Sequence, residues 1–193
     1  MRYPFMLMLV FLALGARSPE TAEWRTAQGG SLAQDFLDLL EQTAHGPCRP
    51  EHMQVQHVQQ SDVELTSFSV PCGPDSRAVI TLKHAPSKPT HLISLTLDTP
   101  SKGVTSKTAS LLNQKLLSAA KTAFRVECSH IEKSSIEELH FCQNEVDSEE
   151  SWVFTVSCPN RYAGKNTSPP LSYSFHSTPG THQPKTPEKE KAK

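Results

Sequence analysis

The side chains here that could do chemistry are five cysteines, Cys48, Cys72, Cys128, Cys142 and Cys158, and nine histidines. A thiolate beside a histidine makes a nucleophile, and thiolates with imidazoles make a tetrahedral metal site. The tightest grouping is Cys48, His52 and His57. The chain alternates there as a strand does, so these side chains spread along it rather than converging as they would from one helix face. Cys158 continues the alternating apolar face of Trp152, Phe154 and Val156, a setting that buries a thiol and leaves it inert. The sequence has no G-x-S-x-G elbow, H-E-x-x-H helix, phosphate loop or dinucleotide fingerprint. The reading is of no catalytic residue, no metal site and no cofactor. Lys and Arg number 19 against 20 Asp and Glu, a balance that offers nucleic acid no bulk attraction.

What remains for the cysteines is crosslinking, and that depends on compartment. Arg2 precedes an apolar run from Phe5 to Leu14, followed by Gly15 and Ala16, the layout of a signal peptide. Ala13 and Gly15 put small side chains where signal peptidase reads them, so residues 1–15 form the signal and cleavage follows Gly15. The run is about half of the roughly 20 residues a spanning helix needs, and no later run is longer, so no membrane span is expected. The product is secreted and extracellular, where thiols pair. Because the cysteine count is odd, one thiol is left over. Asn166-Thr167-Ser168 is an N-glycosylation acceptor in a loop bounded by Gly164 and Pro169.

The elements that must position these residues follow from periodicity. Residues 16–30 are short, polar and interrupted by Pro19 and Gly29-Gly30, which reads as a flexible leader. Ser31 with Gln34 makes a capping-box signature, and Leu32, Phe36, Leu39 and Leu40 recur at helical spacing until Gly46-Pro47. Alternating stretches then run from Glu51 to Asp98, with Thr66-Ser67 shifting the phase as a bulge would. After Gly103 a second helix carries Ala109, Leu112, Leu116, Ala119 and Ala123 on one stripe as far as about Phe124, and strand patterns return through Phe175. The fold class expected is α+β, with two helix-plus-antiparallel-strand halves at residues 31–98 and 105–176. A Pro-, Thr- and Lys-rich tail at residues 177–193 holds too little apolar surface to repay its ordering entropy and reads as disordered.

Two arguments bear on the disulfides. Cys48 and Cys128 each lie four residues past a helix, and Cys72 and Cys142 each close a strand before an Asp-Ser turn. That equivalence pairs Cys48 with Cys72 and Cys128 with Cys142, leaving Cys158 free. Strand parity instead sets Cys142 away from a core face of Leu139 and Phe141, and pairs Cys128 with Cys158. Both arrangements keep Cys48 with Cys72.

A secreted chain with a helix followed by an antiparallel meander, and with Gln56-His57-Val58-Gln59-Gln60 in its first hairpin, resembles the cystatin superfamily, which includes tandem forms. The resemblance implies inhibition of papain-like cysteine proteases through a Q-x-V-x-G loop. Here Gln60 stands where that motif has glycine, and Trp152 follows Ser151 rather than the proline of the family's second hairpin. The function expected from the residues themselves is non-enzymatic: binding of another extracellular protein or a cell surface. The alternatives are a cystatin-type inhibitor and a hydrolytic enzyme with an unfamiliar site.

Overall fold

A computed structural model describes residues 19–43, 46–99, 106–134, 137–144, 150–157 and 171–179. Three α-helices, α1 (Pro19–Thr26), α2 (Ser31–Glu41) and α3 (Ser106–Phe124), accompany a short 3₁₀ turn at Pro50–His52. The strands are β1 (Gln54–Gln60), β2 (Val63–Pro71), β3 (Arg77–His84), β4 (His91–Asp98), β5 (Val126–Lys133), β6 (Glu137–Asn144), β7 (Glu150–Ser157) and β8 (Leu171–Pro179). Residues 1–15, read above as a signal peptide, Cys158 and the Asn166 sequon lie outside the described residues.

The expectation of two helix-plus-strand halves is overturned. All eight strands form one antiparallel sheet in the order β1-β2-β3-β4-β8-β7-β6-β5. The seam is the pairing of β4 with β8, where Ser94, Leu95, Thr96 and Leu97 face Ser174, Tyr173, Ser172 and Leu171. A four-stranded meander standing alone would leave β4 and β8 as bare edges with apolar residues beside them. Pairing them satisfies both rows of main-chain groups and merges the apolar faces. Leu95 and Leu97 therefore lie in the same buried cluster as Leu171, Tyr173 and Phe175. The helices cross the seam as well. Phe36 of α2 meets Tyr173 of β8 edge-on at 6.3 Å, and the Tyr173 hydroxyl donates to Asn113 Oδ1 of α3 at 2.5 Å.

α3 buries Ala109, Leu112, Leu116, Ala120 and Phe124, the row that successive steps of three or four residues bring to one face. Phe124 ends the helix among Trp152 (4.5 Å), Phe175 (5.3 Å) and Phe154 (5.5 Å). Arg125, at φ 54°, then turns the chain into β5.

The leader reading is also corrected for residues 19–30. α1 presses Trp24, 1% exposed, edge-on against Phe68 of β2 at 5.2 Å. The next turn is paired to the sheet: Gln28 N donates to Thr90 O at 2.8 Å, and Leu92 N to Gln28 O at 2.9 Å. The glycines serve close packing rather than looseness. Gly29 takes φ +73°, and a Cβ there would sit 2.5 Å from the Phe124 ring, while one on Gly30 would overlap the Trp24 carbonyl. Ser31 is accordingly the first helical residue behind Gly30 at the N-cap, with no side-chain cap bond, and Gln34 donates to Asp38 at 2.8 Å instead.

Three further strand details differ from the periodic reading. β2 runs without a register break, so Thr66 faces inward with Phe68 and Val70. The break falls opposite Thr81 and Leu82, which face Ser94 and Leu92 and leave Ile93 as the extra residue. At the end of the chain, Ser177, Thr178 and Pro179 pair with Trp152, Ser151 and Glu150, so the strand extends three residues into the segment read as disordered.

Trp24→Ala should destabilise the protein by about 3–5 kcal/mol, the usual range for emptying a buried Trp site. Urea denaturation of the two proteins measures this, and a loss below about 1 kcal/mol would show that α1 does not hold to the sheet.

Candidate interaction surface

An open sheet has two edges, and here they are β1 and β5. Alternate residues of an edge strand turn their N–H and C=O groups away from the sheet, a row of donors and acceptors to which another strand can add. The two edges differ in how they treat that row.

β5 is guarded. Its register breaks between Cys128 and His130, and a bulge of this kind twists the strand out of a flat template. It also carries charge: Lys133 pairs with Glu138 at 3.2 Å, and His130 Nε2 lies 3.4 Å from Glu132. Ile131 is 45% exposed between them.

β1 has none of these devices. Its seven residues, QVQHVQQ, contain no Lys, Arg, Asp, Glu or Pro, and its register with β2 is continuous from Gln54↔Ser69 to Gln60↔Val63. Its shape is held from both ends. At the start, Cys48 is bonded to Cys72 and Arg49 N donates to Pro71 O at 2.9 Å, with Met53 and Val55 packed on the core. At the far end a two-residue turn, Ser61-Asp62, has Ser61 at φ 51°, which suits the twist of a hairpin. Val58 is 38% exposed.

Beneath β1 lies a polar network that no sequence motif announced. His57 Nδ1 is 3.0 Å from Glu64 Oε1 and 3.1 Å from Thr66 Oγ1. Thr66 Oγ1 is 3.1 Å from His84 Nε2, whose Nδ1 is 3.0 Å from Thr90 Oγ1, and Glu23 of α1 closes on His84 at 3.4 Å. The hydroxyl, imidazole and carboxylate of Thr66, His57 and Glu64 have the composition of a nucleophilic triad but not its wiring. Carboxylate and hydroxyl both lie at Nδ1, whereas a triad needs the carboxylate at one ring nitrogen to orient the imidazole while the other takes the hydroxyl proton. Thr66 is also fully buried, out of reach of a substrate. The network's work is to tie β1, β2, β3 and α1 together.

The other sequence-picked residues fall as follows. Cys128 is bonded to Cys142, and the two face each other directly across β5 and β6. The parity objection to this pair took Leu139 and Phe141 as the core face of β6. The structure turns His140 and Cys142 inward instead, and His130 packs on Phe141 at 5.6 Å on the far side. Cys48, His52 and His57 do not converge: Cys48 is bridged, His52 lies in the 3₁₀ turn and His57 joins the Thr66 network. No group of three potential metal ligands occurs among the described residues. Gln56-His57-Val58-Gln59-Gln60 lies within β1, so the turn itself is made by Ser61 and Asp62 rather than by that stretch. An open depression of about 550 Å³, lined by Pro71, Gly73, Pro74, Asp75, Ser76, Arg77 and Asp98, carries neither histidine nor cysteine.

His140 is a second residue that the apolar pattern hid. It is buried on the inner face of β6, and neither ring nitrogen has a well-directed hydrogen bond among the described residues. Burial lowers its pKa from the ordinary histidine value; Glu138, 2.7 Å from Nε2, opposes this, while Lys121 and Lys133 reinforce it. The signal that could have found it is the bridge, because fixing Cys142 inward fixes His140 inward two residues earlier.

Comparison with protein-family models, with curated proteins and with solved structures returned no match to this chain.

Because the folded pKa of His140 lies below the unfolded one, the unfolded chain binds the proton first as pH falls. The stability due to neutral His140 is therefore complete above the ordinary histidine pKa and is lost as pH drops through the folded value. Between about pH 7 and pH 5 the melting temperature of the wild type should fall more than that of His140→Phe. Parallel profiles in thermal scans would show that His140 is not held neutral by the fold.

Proposed function

We propose that this is a secreted, non-enzymatic protein that acts by binding another extracellular protein, which adds an extended segment to β1. The observation that carries the reading is the contrast between the two edges. β5 is bulged and bears Lys and Glu, while β1 runs in continuous register, lacks Lys, Arg, Asp and Glu, and is held by the Cys48–Cys72 bridge, the Ser61-Asp62 turn and the His57 network. Main-chain groups presented in fixed register give affinity, and the side chains flanking them give choice of partner. A strand added to β1 would set its alternate residues beside Gln56 and Val58 on one face and beside Val55 and His57 on the other. These neighbours favour uncharged, β-branched or amide side chains.

Two disulfides accord with an oxidising compartment, which supports the extracellular setting. Among the described residues no helix is long and apolar enough to cross a membrane.

Val58→Lys tests the reading, since an edge lysine blocks strand addition while its ammonium stays in water. Binding of labelled mature protein to cells or to purified surface proteins should weaken at least about tenfold, or about 1.4 kcal/mol. Ile131→Lys, at the guarded edge, should bind as wild type does. Equal binding by all three proteins, at unchanged melting temperature, would count against β1 as the docking edge.

A further inference from the structure

The β1 edge has one occupant whose side chains can be read in full, a second copy of the same strand. We propose that, without another partner, the protein forms a twofold dimer in which β1 pairs antiparallel with β1 of a second copy, centred on His57. The inference rests on the reading of β1 as the docking edge and specifies what covers that edge at rest.

A twofold axis normal to the sheet returns each face to itself, so residues opposite one another must share a face. Centring on His57 sets Gln54 opposite the partner's Gln60, Val55 opposite the partner's Gln59, and Gln56 opposite the partner's Val58. No Lys, Arg, Asp or Glu meets another across the axis, because the strand carries none. Each valine meets the aliphatic stem of a glutamine, and the glutamine amides stay in water. The central imidazoles are each drawn back into their own chain, where Glu64 Oε1 and Thr66 Oγ1 lie 3.0 and 3.1 Å from Nδ1. Both helix layers fall on the same side of one continuous sheet.

The guarded edge limits the assembly. After β1 pairs with β1, the outer edges of the dimer are two copies of β5, bulged at Cys128/His130 and bearing Glu127, Glu132 and Lys133. Such edges resist further addition, so growth closes at two copies instead of continuing into a filament. A seven-residue edge contact is also small. It falls below the roughly 1,200 Å² at which specific interfaces become stable, so the dimer is weak and a better-matched segment displaces it. Self-pairing then makes the edge available in inverse relation to the protein's own concentration.

Sedimentation velocity on the mature chain, from micromolar to millimolar concentration, reads this directly. The wild type should show a reversible monomer–dimer equilibrium. In Gln56→Lys with Val58→Lys, each new lysine faces one from the other copy, and dimerisation should weaken at least about tenfold. In Gln56→Glu with Val58→Lys the same register creates two opposite-charge pairs, and dimerisation should return to the wild-type level or exceed it. Both positions are exposed in the single copy, and unchanged melting confirms that the variants fold. Hydrogen exchange on the wild type needs no variant: protection of β1 amides should rise with protein concentration while the exchange of β5 amides does not change with it. A wild type that is monomeric throughout, with β1 exchange independent of concentration, overturns the proposal. So does a dimer indifferent to both charge patterns. Either result leaves the partner-binding reading intact, since Val58→Lys tests that reading at concentrations where the chain is monomeric.

Discussion

Four residue pairs between β4 and β8 decide what this molecule is. Without them the chain would hold two meanders, four strand edges and two thin apolar faces, each with helical cover on one side only. With them there is a single sheet with two edges, and the helices share one core. Phe124 shows the consequence at one residue. Its ring ends α3, stacks on Phe175, meets Trp152 and Phe154 at a tilt, and takes up the space left by the missing Cβ of Gly29 between α1 and α2. His91, the first residue of β4, meets Trp152 of β7 edge-on at 5.9 Å, so the aromatic layer also spans the join.

The seam also sets where interaction can occur. By consuming β4 and β8 as edges it leaves β1 and β5 as the two edges of the sheet among the described residues, and the chain treats these two differently. Across the face away from the helices, Ser67, Thr81, Ser94, Ser174 and Thr155 lie in one continuous register row, and Ser67 bonds to Thr81 at 3.2 Å. That row is built of small hydroxyl side chains as far as Thr155, beyond which Leu139 of β6 follows. β1, by contrast, offers unpaired groups in a fixed frame, which is why the functional reading settles there.

Much of this was legible in the sequence. The stripe of Leu32, Phe36, Leu39 and Leu40 marks α2, the Ala109, Leu112 and Leu116 stripe marks α3, and alternation marks most strands, because burial on one face imposes a period on the chain. The hidden parts have physical reasons. The β4–β8 pairing joins residues far apart in sequence and leaves no local signature, so the two cycles of helix and strands looked like separable halves. Gly29 and Gly30 looked loose because a glycine required for close approach has the same composition as one in a flexible turn. On β6, Leu139 and Phe141 outweighed His140 and Cys142 in the apolar pattern, although the disulfide fixes the opposite phase. The lack of Lys, Arg, Asp and Glu in Gln54–Gln60 could be read directly, but its meaning depends on β1 being an edge, which only the sheet order shows.

The claim on which the rest stands is that one sheet and one core make one cooperative body, and the two tryptophans are placed to test it. Trp24 reports on α1 and β2, near one end of the sheet, and Trp152 on β7, beyond the seam. Equilibrium unfolding in urea of the single-tryptophan proteins Trp24→Phe and Trp152→Phe should be followed by fluorescence, with backbone circular dichroism recorded on the same samples. The account predicts that within each protein the two signals trace one transition with a common midpoint. A tryptophan transition displaced from the backbone transition, with the backbone curve splitting into two steps, would show that the strands on either side of β4–β8 unfold independently, and would contradict the single sheet.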